Sequence, residues 1–315
     1  MTSSGVFVSW TDHGRSRDIA RAVGLDNIVP VSKKSNLALK YAQLSWRSWK
    51  ALRARRPDVV FFMQPPAPLL LVARLYASTR RGVVLYGDLH SGFFNDSKWS
   101  WFTKLGLRLL RRHHVIVTND ALADVVGERV RFVHVLHDVL DASDAAEAID
   151  VTRDYVLCPL SYAADEPIDE LLQAARSTPE VVWKLTGRAP QSVRDAAPEN
   201  VEFTGFVSQE EYESLLGNAS AALALTSRAD TMQRAGYEAL SANTPLVASR
   251  QQVLVDFFGS AAVFTDHDAA ALSAAVRSAI SDTELRSRMA ELLLKRMAEQ
   301  SAVLENITTL VKTGR

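Results

Sequence analysis

Two carboxylates, Asp230 and Glu238, stand eight residues apart around Arg234-Ala235-Gly236 in a stretch of helical period. The spacing predicts a helix over residues 231–242 with Asp230 as its N-cap. The free N–H groups and partial positive charge of such a start suit a diphosphate, with Arg234 beside it and Gly236 removing bulk from the approach. Eight residues is slightly over two turns, so Glu238 is expected near the same face. A carboxylate there can accept two hydroxyl hydrogen bonds, which is how a ribose is gripped. A plainer reading has Asp230 only capping the helix and Glu238 tied to a backbone amide, and either carboxylate alone favours it.

Further candidate groups lie upstream. Arg188, after Lys184-Leu-Thr-Gly187, offers a guanidinium fork that matches phosphate oxygens, or is simply a surface arginine. In the N-terminal half, Thr11-Asp12-His13-Gly14-Arg15-Ser16-Arg17 combines a glycine for close backbone approach with two cations at the next helix start. An imidazole ordinarily titrates near neutral pH, which makes His13 a candidate general base, or it is a loop histidine bonded to its own chain. Gly87-Asp88-Leu89-His90 follows another apolar run. His90 and Asp88 are alternative bases there, and only one of them is expected to face a substrate.

These groups need regular elements to hold them. Short β-rich apolar runs alternate with segments of helical period throughout, which specifies the α/β class, with parallel sheets and crossover helices. Strands are expected at 6–10, 27–31, 58–64, 82–86, 114–118 and 131–136, and again at 155–159, 181–186, 201–203, 221–225, 246–249 and 262–264. A long helix is expected near 36–55, and the tail 269–312 reads as more than one helix. Residues 138–154 are polar, acidic and alanine-rich, and divide the chain into domains 1–145 and 146–315. Open parallel sheets place their ligand crevices at the carboxyl ends of the strands, so two Rossmann-like domains facing across a cleft are expected.

The formal net charge of zero over 315 residues conceals +11 in residues 1–140 (21 Lys and Arg against 10 Asp and Glu) and −11 in 141–315 (15 against 26). A basic half attracts a phosphorylated acceptor, an anionic membrane surface or nucleic acid, while two oppositely charged domains facing each other account for it equally. The single cysteine, Cys158, cannot form an internal disulfide, and the start of the chain lacks the layout of a secretory signal, so a cytoplasmic setting is expected. Residues 67–77 are interrupted by Arg74 and fall short of the ~20 residues a bilayer core requires. No Asp-x-Asp pair stands out, and no metal is expected.

The stretch Asn200 to Ser249 resembles the donor-binding core of glycosyltransferases with the GT-B fold, in particular the family-4-like group, glycosyl transferases group 1. Val201–Val207, Ala221–Ser227 and Glu238-Ala-Leu-Ser-Ala-Asn243-Thr-Pro245-Leu-Val-Ala-Ser249 carry the resemblance. Asp230 and Glu238 stand where the family usually has two glutamates, and Asn243 replaces a usual glycine, a change that a left-handed helix end tolerates. The resemblance implies an acceptor-binding domain in 1–145 and a nucleotide-sugar-binding domain in 146–315. It puts Glu238 on the ribose and Asp230 on the transferred sugar. Arg188, Gly187, Arg234, Ala235, Gly236, Phe206, Val207 and Gly14 are then expected around the donor, with His90, Asp88 and His13 as candidate bases. The loop Ser161-Tyr-Ala-Ala-Asp-Glu-Pro167 departs from the pattern, because it lacks the Arg and Lys usual there. Arg188, Arg228 and Arg234 are left to neutralise the diphosphate.

The activity implied is a metal-independent transfer of a sugar from a UDP- or GDP-linked donor to a hydroxyl of a sugar or lipid-linked acceptor, in polysaccharide or glycolipid synthesis. No cofactor beyond the donor and no nucleic acid is implied. By the same resemblance the aromatic and basic stretch Lys98–Arg112 is a candidate for peripheral contact with the inner face of a membrane, against the alternative of ordinary packing. A nucleotide-sugar epimerase and a catalytically silent binding module are the competing readings.

Overall fold

The computed structural model describes residues 5–141 and 155–313. Its strands are β1 (Gly5–Val8), β2 (Asp26–Ile28), β3 (Val59–Gln64), β4 (Val84–Leu89), β5 (His114–Val117) and β6 (Phe132–Val135), then β7 (Tyr155–Cys158), β8 (Val182–Thr186), β9 (Val201–Gly205), β10 (Ala221–Ala224), β11 (Leu246–Ser249) and β12 (Val263–Thr265). The first six form one sheet in the order β2-β1-β3-β4-β5-β6 and the rest a second, β12-β11-β10-β7-β8-β9. Every pairing is parallel. Continuous apolar runs dictate this: β3 (VVFFMQ) is buried along its whole length, as a strand covered by helices on both faces must be.

The helices between the strands have local stop and start signals. Asn36 accepts the Leu39 N–H at 3.1 Å to open helix Leu37–Arg55, and Ser208 and Asp268 cap Gln209–Gly217 and Ala269–Ser281 in the same way. Asn243, just past the helix that ends at Ser241, does adopt a left-handed φ of 51°. The stretch 98–112 is a 3₁₀ turn, Ser100–Phe102, followed by helix Thr103–Leu110.

The described residues form two compact units, the first reaching to Val139 and resuming at Glu299, the second running from Leu140 to Ala298. The expected division at 145/146 lies outside the described residues. The helical tail, expected wholly in the second half, ends in the first: Ile307 and Val311 of helix Leu285–Thr313 are buried in one cluster with Phe7, Ile19, Phe61, Tyr86 and Ile116. Those apolar side chains cover one face of the first sheet, and Leu44, Leu52, Leu69, Leu70, Leu107 and Leu110 cover the other.

A histidine pair is built into the amino-terminal end of the first sheet. His114 stacks on Tyr86 and Phe132 at ring distances of 4.2 and 4.7 Å, and its Nδ1 lies 3.0 Å from Nε2 of His134. Burial, then the neighbouring His134 and His113, hold the His114 imidazole down at about 4, against an ordinary 6.5. Burial, then Arg74, does the same to His113. Both rings are therefore neutral in the fold, while the unfolded chain takes up their protons below pH 6.5. Stability is expected to be fully present above that pH and to fall as the pH drops towards 4, with a slope approaching about 1.4 kcal/mol per pH unit for the buried His114. Denaturant unfolding at stepped pH checks this, with His114→Gln expected to flatten the acid slope.

Candidate functional site

In the second sheet the strand order reverses between β7 and β10, the point where an open parallel sheet leaves a crevice at its carboxyl edge. The loops that leave these two strands are tied together there. Thr226 Oγ1 donates to Asp165 Oδ2 at 2.7 Å, and Arg228 pairs with Asp165 at 3.2 Å. Beside them the loops after β7, β8 and β9 enclose a cavity of about 660 Å³, whose walls include Ser161, Gly187, Arg188, Phe206, Val207 and Tyr212.

Each wall has a local cause. Gly187 sits at φ 80°, and a Cβ there would stand 2.2 Å from the Leu160 carbonyl oxygen, so glycine alone lets β8 turn this close to the loop after β7. Its N–H donates to the Gly205 carbonyl at 2.8 Å, which fixes the turn after β9 that presents Phe206. Phe206 is 84% exposed, an unusual state for a ring that size. Arg188 is also exposed and makes no hydrogen bond or ion pair among the described residues, which leaves its guanidinium available at the cavity. Tyr212 donates its hydroxyl to Glu238 Oε2 at 2.8 Å, and Arg234 Nε donates to Oε1 at 2.7 Å. Burial and then the adjacent carboxylate raise the Tyr212 hydroxyl well above its ordinary range, so it remains a donor.

Three expectations are corrected at this site. Asp230 does not cap a helix: it has a left-handed φ of 56°, the helix begins at Arg234, and Gln233 is the boundary residue, its side chain donating to the Leu225 carbonyl at 2.7 Å. The left-handed turn at 230 delays the helix by three residues, so Glu238 lies one turn from its start, in an i,i+4 ion pair with Arg234. Gly236 does not clear space for a ligand: a Cβ there would meet the Phe258 ring at 3.0 Å, and its N–H already donates to the Gln233 carbonyl. Glu238 is held by two side chains, Tyr212 and Arg234, rather than by a backbone amide.

The loop after β7, which carries no basic residue, closes on itself. The Glu166 carboxylate accepts from Ser161 N at 3.1 Å, Ser161 Oγ at 3.0 Å and Ala163 N at 2.9 Å. The amides that a base-poor anion site would need are thus taken by an internal anion. Tyr212, Asp165 and Glu166 escaped the sequence reading, since nothing in their spacing marks them; only the folded loops bring them to this edge.

The first unit gathers a separate cluster at the carboxyl ends of β1 and β4. Arg15, expected to add positive charge at the helix start after β1, is 1% exposed, and Asp88 is fully buried. Arg15 donates through Nε to both Asp88 oxygens at 3.1 Å, through Nη2 to Asp88 at 2.9 Å and to the Leu136 carbonyl at 2.8 Å, and through Nη1 to Asp138 at 3.0 Å. Burial would raise the Asp88 carboxyl, but Arg15 and then His90 outweigh it and hold the group below the usual carboxylate range. An enclosed carboxylate in this state is no base for a substrate.

Asp88 and His90 were expected to diverge, yet residues two apart along a strand share a face, and His90 Nε2 lies 3.0 Å from Asp88 Oδ2. The ionised Asp88 can only accept, so the His90 proton is on Nε2 and the basic lone pair on Nδ1. His90 is the boundary residue of helix Ser91–Asn95, with about a fifth of its side chain exposed. His13, at the boundary of helix Gly14–Val23, sets its ring edge-on to His90 at 5.3 Å, so Gly14 and both histidines meet at one edge. Among the described residues no group of three or more His, Cys, Asp or Glu is placed to hold a metal ion, and no helix is long and apolar enough to cross a membrane.

Residues 142–293 match the family model for glycosyl transferases group 1. No curated protein matches the sequence. Among solved structures, sucrose-phosphate synthase from Thermosynechococcus elongatus superposes with a TM-score of 0.74 at 12% identity, over 98% of both chains. A glycosyltransferase from Rickettsia africae ESF-5 gives 0.71 at 10% identity, over 99% of this chain and 98% of that one. HepE of Anabaena, in complex with UDP and glucose, gives 0.70 at 16% identity, over 98% and 100%. At such identities the likeness is one of fold.

The buried pair yields a direct expectation. Asp88→Asn leaves the Arg15 charge without its main counter-ion and is expected to lower stability by about 3–5 kcal/mol, the usual cost of stranding one member of a buried ion pair. Equilibrium unfolding in urea measures it, and a loss under about 1 kcal/mol contradicts the assigned role.

Proposed function

We propose that this chain, whose residues 142–293 match the family model for glycosyl transferases group 1 and whose two Rossmann-like units have the GT-B architecture, transfers a sugar from a nucleoside-diphosphate sugar to an acceptor hydroxyl. The observation that carries the reading is the cavity of the second unit, lined by the exposed ring of Phe206, by Arg188 and by Tyr212, whose hydroxyl anchors the Glu238 carboxylate.

In this reading Phe206 stacks on the base and Arg188 meets the phosphates, with Gly187 and Val207 shaping the wall between them. Glu238 takes the ribose hydroxyls. Each of its oxygens already accepts one bond, from Arg234 or from Tyr212, and each retains a lone pair for a ribose O–H. Arg234, which holds Glu238 through Nε, is the candidate cation for the diphosphate, beside Ala235 at the helix start. Asp230, turned out of the helix, remains the candidate for the transferred sugar. The likeness to a UDP-bound relative favours a uridine donor, with GDP as the comparison.

In the first unit His90 is the base. Asp88 keeps the proton on Nε2, and Nδ1 receives the proton of the acceptor hydroxyl as its oxygen bonds to the anomeric carbon; the bond from that carbon to the diphosphate breaks, and the electron pair leaves with the phosphate. Fixed cations stabilise the leaving group without a metal. His13 and Gly14 line the same edge and position the acceptor. The acceptor domain is residues 1–145 and the donor domain 146–315, less the terminal helix segment that packs with the first. A sugar or lipid-linked acceptor fits the basic charge of the N-terminal half, and the exposed Trp101 and Leu105, among Lys98, Lys104 and Arg108, form its contact with the inner face of a membrane.

A thermal-shift titration with UDP and GDP tests the donor site. At a hundred times its dissociation constant the right nucleotide stabilises by roughly 2.7 kcal/mol, and Glu238→Ala is expected to abolish the shift. His90→Ala is expected to keep the shift and lose transfer by about 10²–10⁴-fold, the scale of a missing general base. No shift with either nucleotide overturns the reading.

A further inference from the structure

The loop after β7 carries two anomalies on one residue. Tyr162 has a left-handed φ of 57°, which strains the backbone of a bulky residue, and its hydroxyl is buried with no hydrogen-bond partner among the described residues. Neither is needed to close the loop, which Glu166 does through Ser161 and Ala163. Costs of this kind gather at ligand clamps. The ring places the hydroxyl beside the turn after β8: a Cβ added to Gly187 would stand 3.4 Å from Tyr162 Cε2, the ring atom next to the carbon that bears the hydroxyl. Gly187 and Arg188 belong to the wall of the cavity of about 660 Å³ to which the donor is assigned. Arg194, on helix Gln191–Ala196 after the same turn, is exposed and forms no ion pair among the described residues. Its guanidinium lies over the Phe203 ring at 4.8 Å, and its charge reaches the Tyr162 hydroxyl, which burial and then Cys158 push up to about 12 against the pull of Arg194. At neutral pH the hydroxyl is therefore a donor and not an anion.

We propose that Tyr162 and Arg194 complete the phosphate end of the donor site, the hydroxyl donating to a phosphate oxygen and the guanidinium adding positive charge beside Arg188. The inference rests on the donor reading above and supplies what that reading lacks. Arg188 is the one cation among the described residues that line the cavity, which is little for a diphosphate. The loop after β7 has no base to add, and its Ser161 hydroxyl and the Ser161 and Ala163 amides are already held by Glu166. The Tyr162 hydroxyl is the donor left to it. That hydroxyl has no exposed surface, so contact with a phosphate requires the ring to move. Leaving the left-handed region relieves the backbone, so the strain at Tyr162 favours the movement that the contact needs.

Calorimetric titration of the full chain with UDP and with uridine tests this, or with GDP and guanosine should the thermal shift select GDP. Tyr162→Phe removes only the hydroxyl and is expected to weaken the diphosphate about tenfold, the scale of one hydrogen bond to a charged group, while the nucleoside stays within about twofold. Its melting temperature is expected to stay at or above the wild-type value, because the lost hydroxyl had no partner to give up. Arg194→Gln is expected to weaken the diphosphate by about tenfold as well, again sparing the nucleoside. Arg277→Gln removes the same charge elsewhere on the second unit and is expected to change binding by less than about threefold, since exposed charges at a distance are screened. Unchanged diphosphate affinity in Tyr162→Phe, with the wild-type protein still binding, overturns the assignment and leaves the donor reading standing. Equal losses for diphosphate and nucleoside trace the effect to the shape of the cavity and overturn the phosphate contact. A lowered melting temperature in Tyr162→Phe shows that the hydroxyl serves the fold and overturns it too. Equal losses in Arg194→Gln and Arg277→Gln reduce the arginine effect to net charge and remove Arg194 from the site. No binding of either nucleotide to the wild-type protein removes the donor reading and this assignment together.

Discussion

The buried Arg15 guanidinium is the constraint from which the first unit is organised. A charge so enclosed is tolerable only when its donors are met, and Arg15 meets its own with Asp88, Asp138 and the Leu136 carbonyl. Those partners come from the end of β4 and from the chain just after β6, while Arg15 belongs to the helix after β1. One side chain therefore sets three carboxyl-edge segments against each other. The same carboxylate that neutralises Arg15 also orients His90, so the group that secures the fold fixes which imidazole nitrogen is basic.

A parallel sheet makes such sharing natural. Every strand ends at the same edge, so loops distant in sequence deliver their side chains to one line. The second unit repeats the logic with different residues: Asp165 from the loop after β7 grips Thr226 and Arg228 after β10, and Tyr212 reaches from the helix after β9 to Glu238. In both units a carboxylate is fixed by an arginine and shared with a second side chain. Neither pairing is local in sequence.

That non-locality explains what could be read from the chain. Strands were legible because runs such as VVFFMQ and LVAS are short, apolar and bounded by turn residues, and the two six-strand sets appear at nearly the expected positions. The helix carrying Glu238 was legible in type but not in its start: Asp230 looks like a cap by composition, whereas only a backbone angle shows that the chain turns there first. Gly236 was read as making room for a ligand, yet the space is filled by Phe258, twenty-two residues away in sequence and invisible to local pattern. Arg15 was read only as positive charge at a helix start, because its partners Asp88 and Asp138 lie more than seventy residues away.

The loop after β7 shows how a departure from a family pattern is accommodated physically. A diphosphate near this edge needs positive charge, and the loop offers none; its amides are already satisfied by Glu166, a residue of the same loop. An anionic ligand placed there would have to displace a carboxylate bonded three times and would meet its charge on the way. In the proposed reading the cations for a donor are therefore Arg188 after β8, which lines the cavity, and Arg234. In that reading the anion-binding side of the cavity lies at the second loop of the unit rather than its first, next to the exposed Phe206 of the third.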